Sequence, residues 1–173
     1  IRDRLWIIQS VRHEFEDRYT FAELCKEAEE TDYITSRIDV NNKCFLAPEN
    51  MTEAIKSYCN NNDLIIPDTA GEIAAVVYKS LADSYADTVM QIEKNLDITY
   101  DAIYVIGGGA NAGYLNQLTA DSTGKTVVAG PAEATAIGNI MAQMIADSVF
   151  KNLKEARACV RDSFDIKRFE QKR

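Results

Sequence analysis

Ala102-Ile103-Tyr104-Val105-Ile106-Gly107-Gly108-Gly109-Ala110-Asn111 is the stretch on which the fold turns. Its first five residues form a short apolar run, as expected of a buried strand. Three successive glycines then leave bare main chain where side chains would otherwise block close approach. A helix is predicted from about residue 112 to 122, closed by Gly124. The free amides and positive dipole end of such a helix face the space beyond the strand. That arrangement suits a phosphate or a nucleotide lying at the strand's carboxyl end. A tight strand-to-helix packing turn would use two of the three glycines as well, so the glycines alone leave both readings open.

Two better-known phosphate motifs fit less well. Gly107 to Ala112 matches the loose dinucleotide pattern G-x-G-x-x-A, which wants an acidic residue at the end of the following strand. That strand, residues 126–129, closes instead on Gly130-Pro131, and Glu133 comes only after the proline. Lys125 sits too far along to serve as the lysine of a G-x-x-x-x-G-K loop.

Outward from this turn the chain is mostly helical. Leu5, Ile8, Val11 and Phe15 repeat at helical spacing. Thr20 with Glu23, and Thr69 with Glu72, form capping-box pairs that open two further helices, and Asn50 with Glu53 opens another. The helix after Thr69 is the longest, with Ile73, Val77, Leu81, Tyr85, Val89, Ile92 and Leu96 forming one stripe, which reads as a packing face. Residues 32–48 show neither period and read as a loop, with a short strand expected at residues 44–46. Two helices, residues 133–148 and 152–163, follow the second strand. Lys167-Arg168 and Lys172-Arg173, balanced by Asp165 and Glu170, read as a solvated tail. The expected class is therefore α/β, helix-rich with few strands, and two strands alone make a poor core. Their unpaired edges favour self-association.

The 27 acidic residues outnumber the 19 basic ones. That balance argues against nucleic acid, which is held by basic patches, and against an anionic membrane surface. No apolar run reaches the ~20 residues of a spanning helix, and no secretory pattern opens the chain. Cys25, Cys44, Cys59 and Cys159 are widely spaced, with one histidine in the chain, so reduced thiols in a cytoplasmic protein are expected rather than a zinc site. The opening Ile1-Arg2-Asp3-Arg4-Leu5-Trp6 reads as the middle of a helix, and the chain is expected to be a fragment. His13, between Arg12 and Glu14, is expected to face solvent, Trp6 to anchor the core, and Tyr78, Tyr85 and Tyr100 to serve packing.

Three blocks in order raise the specificity well above a glycine triplet. They are the segment from Ile103 to Asn111, Leu115-Asn116-Gln117-Leu118-Thr119-Ala120-Asp121, and Ala129-Gly130-Pro131-Ala132-Glu133-Ala134-Thr135-Ala136-Ile137-Gly138-Asn139. Together they closely resemble the rhamnulokinases, a branch of the carbohydrate kinases with an actin-like, ribonuclease-H-like ATPase fold. Upstream, Leu5-Trp6-Ile7-Ile8-Gln9 looks like the family's G-L-W-x-x-Q helix, with Arg4 where glycine is common. Phe45-Leu46-Ala47-Pro48-Glu49-Asn50-Met51 is similar to its F-x-x-P-x-x-M loop.

The resemblance covers essentially residues 1–173 and implies the C-terminal nucleotide-binding part of a sugar kinase. The activity implied is transfer of the ATP γ-phosphate to the C1 hydroxyl of L-rhamnulose, with Mg²⁺. In the family, the glutamine of the G-L-W-x-x-Q helix and the second glycine of the triplet contact ATP. They fall here on Gln9 and Gly108, with Gly107 and Gly109 completing the turn and Asn111 placed to contact ribose or adenine. The family's catalytic aspartate and sugar-binding asparagine lie upstream of Ile1. No catalytic or metal-ligating residue is therefore expected in this chain, and turnover by it alone is not expected. Asp101 and Asp121 are poor substitutes, read as a loop residue and a solvent-facing helix residue. Sugar kinases of xylulose, fuculose or glycerol type, or a non-catalytic interaction fragment, are the alternatives.

Overall fold

A computed structural model describes residues 4–31 and 33–172. The helix read through Ile1, Arg2 and Asp3 thus lies mostly outside the described residues. The described Arg4 and Leu5 are not helical, and the first helix starts only at Trp6: α1 (Trp6–Glu14), followed by α2 (Phe21–Glu29), α3 (Met51–Asn61) and α4 (Ala70–Leu96). Strand β1 (Ala102–Val105), α5 (Gly113–Thr123), β2 (Thr126–Ala129), α6 (Ala134–Ala146), α7 (Leu153–Ser163) and β3 (Lys167–Phe169) complete the order.

Both capping boxes form. The Thr20 hydroxyl accepts from the Glu23 amide while the Glu23 carboxylate accepts from the Thr20 amide, and Thr69 and Glu72 repeat the exchange at α4. Asn50 and Asn152 cap α3 and α7 through their side-chain oxygens. At α3 a carboxylate joins the Asn50 cap, because Glu14 of α1 accepts the amides of Met51 and Thr52. It satisfies two of the amides a helix leaves orphaned at its start, where a negative charge is favoured.

The core lies around the first half of α4. Ile73, Val76, Val77 and Leu81 are fully buried, with α1, α2, α3 and α5 supplying Ile7, Leu24, Ile55 and Leu115. Trp6 packs against this core from its rim. Cys25 and Cys59 belong to the same core, and all four cysteines are free thiols. Tyr78 is buried and meets Tyr114 edge-on, with ring centroids 6.1 Å apart. Tyr85 packs at the core's edge, whereas Tyr100 is exposed.

Residues 34–40 depart from the loop reading. Ile34, Ser36, Ile38 and Val40 are buried while Thr35, Arg37 and Asp39 face out, a strict two-residue alternation. The segment is extended backbone hung on side chains rather than on a neighbouring strand. The Ser80 hydroxyl accepts the Ile38 amide at 2.9 Å, Lys79 Nζ donates to the Ile34 carbonyl at 2.8 Å, and Ser36 donates to the Ile65 carbonyl at 2.7 Å. Ser36 on the buried face hides the period from a reading by hydropathy.

The strand expected at residues 44–46 is a 3₁₀ turn, Lys43–Phe45, capped by the Asn42 side chain, which holds Phe45 in the core. The solvated tail is also corrected. Residues 167–169 form β3, antiparallel to β2, with Val127 opposite Phe169 and Ala129 opposite Lys167. Beyond it, the Glu170 carbonyl accepts from Gln117 at 2.8 Å, and the Lys172 amide donates to Asp121 at 2.7 Å. The sheet order is β1-β2-β3, with β1 and β2 parallel through α5.

Candidate nucleotide site

Strand β1 delivers the chain to Gly107, whose φ of +75° lies in the left-handed region that favours glycine. Gly107–Asn111 then winds as a 3₁₀ turn, and α5 begins only at Gly113. The helix expected from about residue 112 thus starts one residue later, and a tight turn carries the three glycines ahead of it. Its inner residues are seated: Ala110 is buried, and a Cβ at Gly109 would stand 3.4 Å from both Leu5 and Val105. Its outer residues, Gly108 and Asn111, are exposed. A Cβ at Gly108 would meet nothing within 4 Å, so open space lies against bare main chain there.

That space is a cleft of about 740 Å³ between this turn, α1 and the flank of α4. Gln9, Gly107, Gly108, Gly109 and Asn111 all line it, so the structure brings the five sequence-predicted residues together. Gln9 arrives from α1, whose Ile7, Ile8 and Val11 are buried while Gln9 faces out. Leu5, Ile8 and Leu115 form part of the apolar floor. Tyr78, also on the cleft wall, has its phenol pushed upward, first by burial and then by the neighbouring Cys25 thiol. It is a neutral wall and no acid at ordinary pH.

Sequence reasoning passed over Asn116. It is 2% exposed, and its carboxamide nitrogen lies 3.2 Å from the Gly109 carbonyl and 3.3 Å from that of Ala110. A polar amide one position after Leu115, on a helix face that turns inward, is the signal that was available.

The candidates set aside in the sequence sit elsewhere. Asp101 is exposed ahead of β1. Asp121 is half-buried rather than solvent-facing, because the Gln117 side chain and the Lys172 amide both donate to it. His13 is 84% exposed in its side chain, with Nδ1 3.3 Å from Asp17. Lys125 is held by Glu93 at 2.8 Å and the Tyr100 carbonyl at 2.9 Å, tying the end of α4 to the entry of β2. Arg4 is buried and reaches Asn41 at 3.4 Å. Among the described residues, no three histidine, cysteine or acidic side chains gather where they could hold a metal ion. No described helix is long and apolar enough to cross a membrane.

A family profile described as "FGGY family of carbohydrate kinases, C-terminal domain" matches residues 4–146. The chain belongs to this family. The actin-like ATPase fold that goes with it agrees with a helix-rich α/β chain carrying a small sheet. Among curated relatives, a rhamnulokinase of Bacillus subtilis (strain 168) is 45% identical over 168 residues, covering 97% of this chain and 35% of its own length. A rhamnulokinase of Oceanobacillus iheyensis is 45% identical, with 94% and 34% covered, and one of Lactiplantibacillus plantarum is 39% identical, with 95% and 34% covered. The chain thus spans about a third of the length of the relatives it matches. The FGGY match ends at Ala146, the last residue of α6, and these relatives extend the likeness toward the C-terminal strand.

Proposed function

We propose that this chain is the nucleotide-holding part of a longer rhamnulokinase, which transfers the ATP γ-phosphate to the C1 hydroxyl of L-rhamnulose. The observation that carries the reading is the meeting of Gln9, from α1, with the Gly107–Asn111 turn at one open cleft. The names of the FGGY relatives supply the sugar. The residues present fit a nucleotide. Bare backbone at Gly107 and Gly108 faces room that a side chain would fill, and the exposed carboxamides of Gln9 and Asn111 offer donors and acceptors to ribose or adenine. ATP supplies the phosphoryl group, and Mg²⁺ would travel with its phosphates. The sugar pocket and the base that takes the hydroxyl proton belong to the remainder of the longer protein.

Two measurements test this. In calorimetry with ADP, Gly108→Val is expected to weaken binding at least about tenfold, roughly 1.4 kcal/mol. The valine fits the empty protein, since open space surrounds that position, so its effect reads on the ligand. Equal binding by both proteins removes the glycine turn from the site. For the longer protein, ATP-dependent phosphorylation of L-rhamnulose should exceed that of xylulose, fuculose or glycerol, while residues 1–173 alone show no turnover. A preference for one of the other three sugars overturns the substrate assignment.

A further inference from the structure

We infer that Asn116 is the positioning residue of the glycine turn, holding its inner carbonyls so that Gly108 and Asn111 are presented to the nucleotide. The inference rests on the nucleotide reading above and adds a residue to it. No side-chain cap supports the turn, since neither Ile106 ahead of it nor Ala112 ahead of α5 caps its helix with a side chain. A 3₁₀ turn is held by bonds of poorer geometry than an α-helix, so outside anchors matter more to it. Asn116 supplies one. Its buried Nδ2 donates to two successive carbonyls, Gly109 at 3.2 Å and Ala110 at 3.3 Å, while its own amide bonds the Ala112 carbonyl at 2.9 Å within α5.

Fixing two consecutive carbonyls fixes two consecutive peptide planes, because each peptide unit is rigid. The residues at that inner edge, Gly109 and Ala110, are the packed ones, and those at the outer edge, Gly108 and Asn111, are the exposed ones. The residue type follows from the acceptors. Two carbonyl oxygens require a donor group, which a carboxamide offers and a carboxylate does not. Leucine, of similar size, removes this donor from both carbonyls, leaving that of Gly109 with the Ala112 amide at 3.1 Å and stripping the turn of its side-chain anchor.

The test compares the 173-residue chain with Asn116→Leu and with Thr123→Val. Thr123 sits on the same helix, two turns beyond Asn116, and its hydroxyl donates to the Thr119 carbonyl at 2.6 Å. ADP affinity by calorimetry, amide hydrogen exchange of residues 107–112, and melting temperature are read for each. Asn116→Leu is expected to weaken ADP binding about tenfold and to speed exchange in the turn. Thr123→Val should lower the melting temperature while leaving both site readouts unchanged. Unchanged affinity and exchange in Asn116→Leu overturn the inference, as does an equal loss of affinity in Thr123→Val. Should Asn116→Leu fail to fold, Asn116→Ser takes its place, keeping one donor, with a smaller loss of affinity expected and wild-type affinity counting against the inference. If the unaltered chain binds no ADP, the nucleotide reading falls by itself, and turn exchange in the variants alone decides whether Asn116 holds the turn.

Discussion

The two halves of α4 carry one unbroken apolar stripe and live in different surroundings. From Ala70 to Ala82 nearly every residue is buried, including Lys79 and Ser80, because α2, α5 and the extended segment 34–40 pack around it. Beyond Asp83 the stripe continues through Val89, Ile92 and Leu96, but Ile92 is 38% exposed and Leu96 57% exposed. Periodicity identifies the face a helix offers to a partner and is silent on whether the partner is present in the same chain. The difference between the halves comes from coverage, not from composition.

The same substitution at both ends tests this most severely. Leu81→Ala is expected to destabilise the chain by about 2–5 kcal/mol, measured by denaturant unfolding, because it empties a fully buried site. A cost below about 1 kcal/mol would mean that the near half is not the core.

A smaller effect should come from the near half's cap. The Glu72 carboxylate accepts the Tyr33 hydroxyl at 2.6 Å and the amides of Asp68 and Thr69 at 2.6 and 3.1 Å. The Tyr33 bond first, then the amides, hold its pKa below the ordinary carboxylate value. A carboxylate with a depressed folded-state pKa contributes stability above its unfolded-state pKa, and loses it as pH falls through the lower folded-state value. Glu72→Gln should therefore cost about 1 kcal/mol at neutral pH and shrink the stability lost between neutrality and strongly acid solution. An identical acid limb in both proteins would rule this out. Least of all should come from Leu96→Ala, within about 0.5 kcal/mol of the parent. A loss matching that of Leu81→Ala would abolish the distinction between the halves.

The sequence was most legible where local chemistry acts alone. Thr20 with Glu23, Thr69 with Glu72, Asn50 and Asn152 mark helix starts because caps bond within four residues. The runs before Gly107 and Gly130 were readable as strands from their apolar residues, but the first is not buried as expected, with Tyr104 74% and Ile106 60% exposed. What escaped depends on distant partners. Ile34 to Val40 alternates around a serine whose hydroxyl finds its acceptor in the distant Ile65 carbonyl. Lys167-Arg168-Phe169 becomes a strand because the edge of β2 is there to receive it, not because of its own composition. In the candidate site, the glycine turn stood out by its own residues and Gln9 through likeness to known kinases, whereas Asn116 was missed since its bonds run back to a turn whose shape only the structure displays.

The placement of the thiols gives the chain an internal gauge. Cys44 is exposed, whereas Cys25 and Cys59 sit in the core around the near half of α4, where burial pushes both thiols up in pKa. An alkylating reagent applied to the folded chain therefore reaches Cys44 long before that buried pair, and modification of Cys25 and Cys59 marks the moment the helices separate. One mass spectrum taken over time would follow the loosening of the interior without any added label.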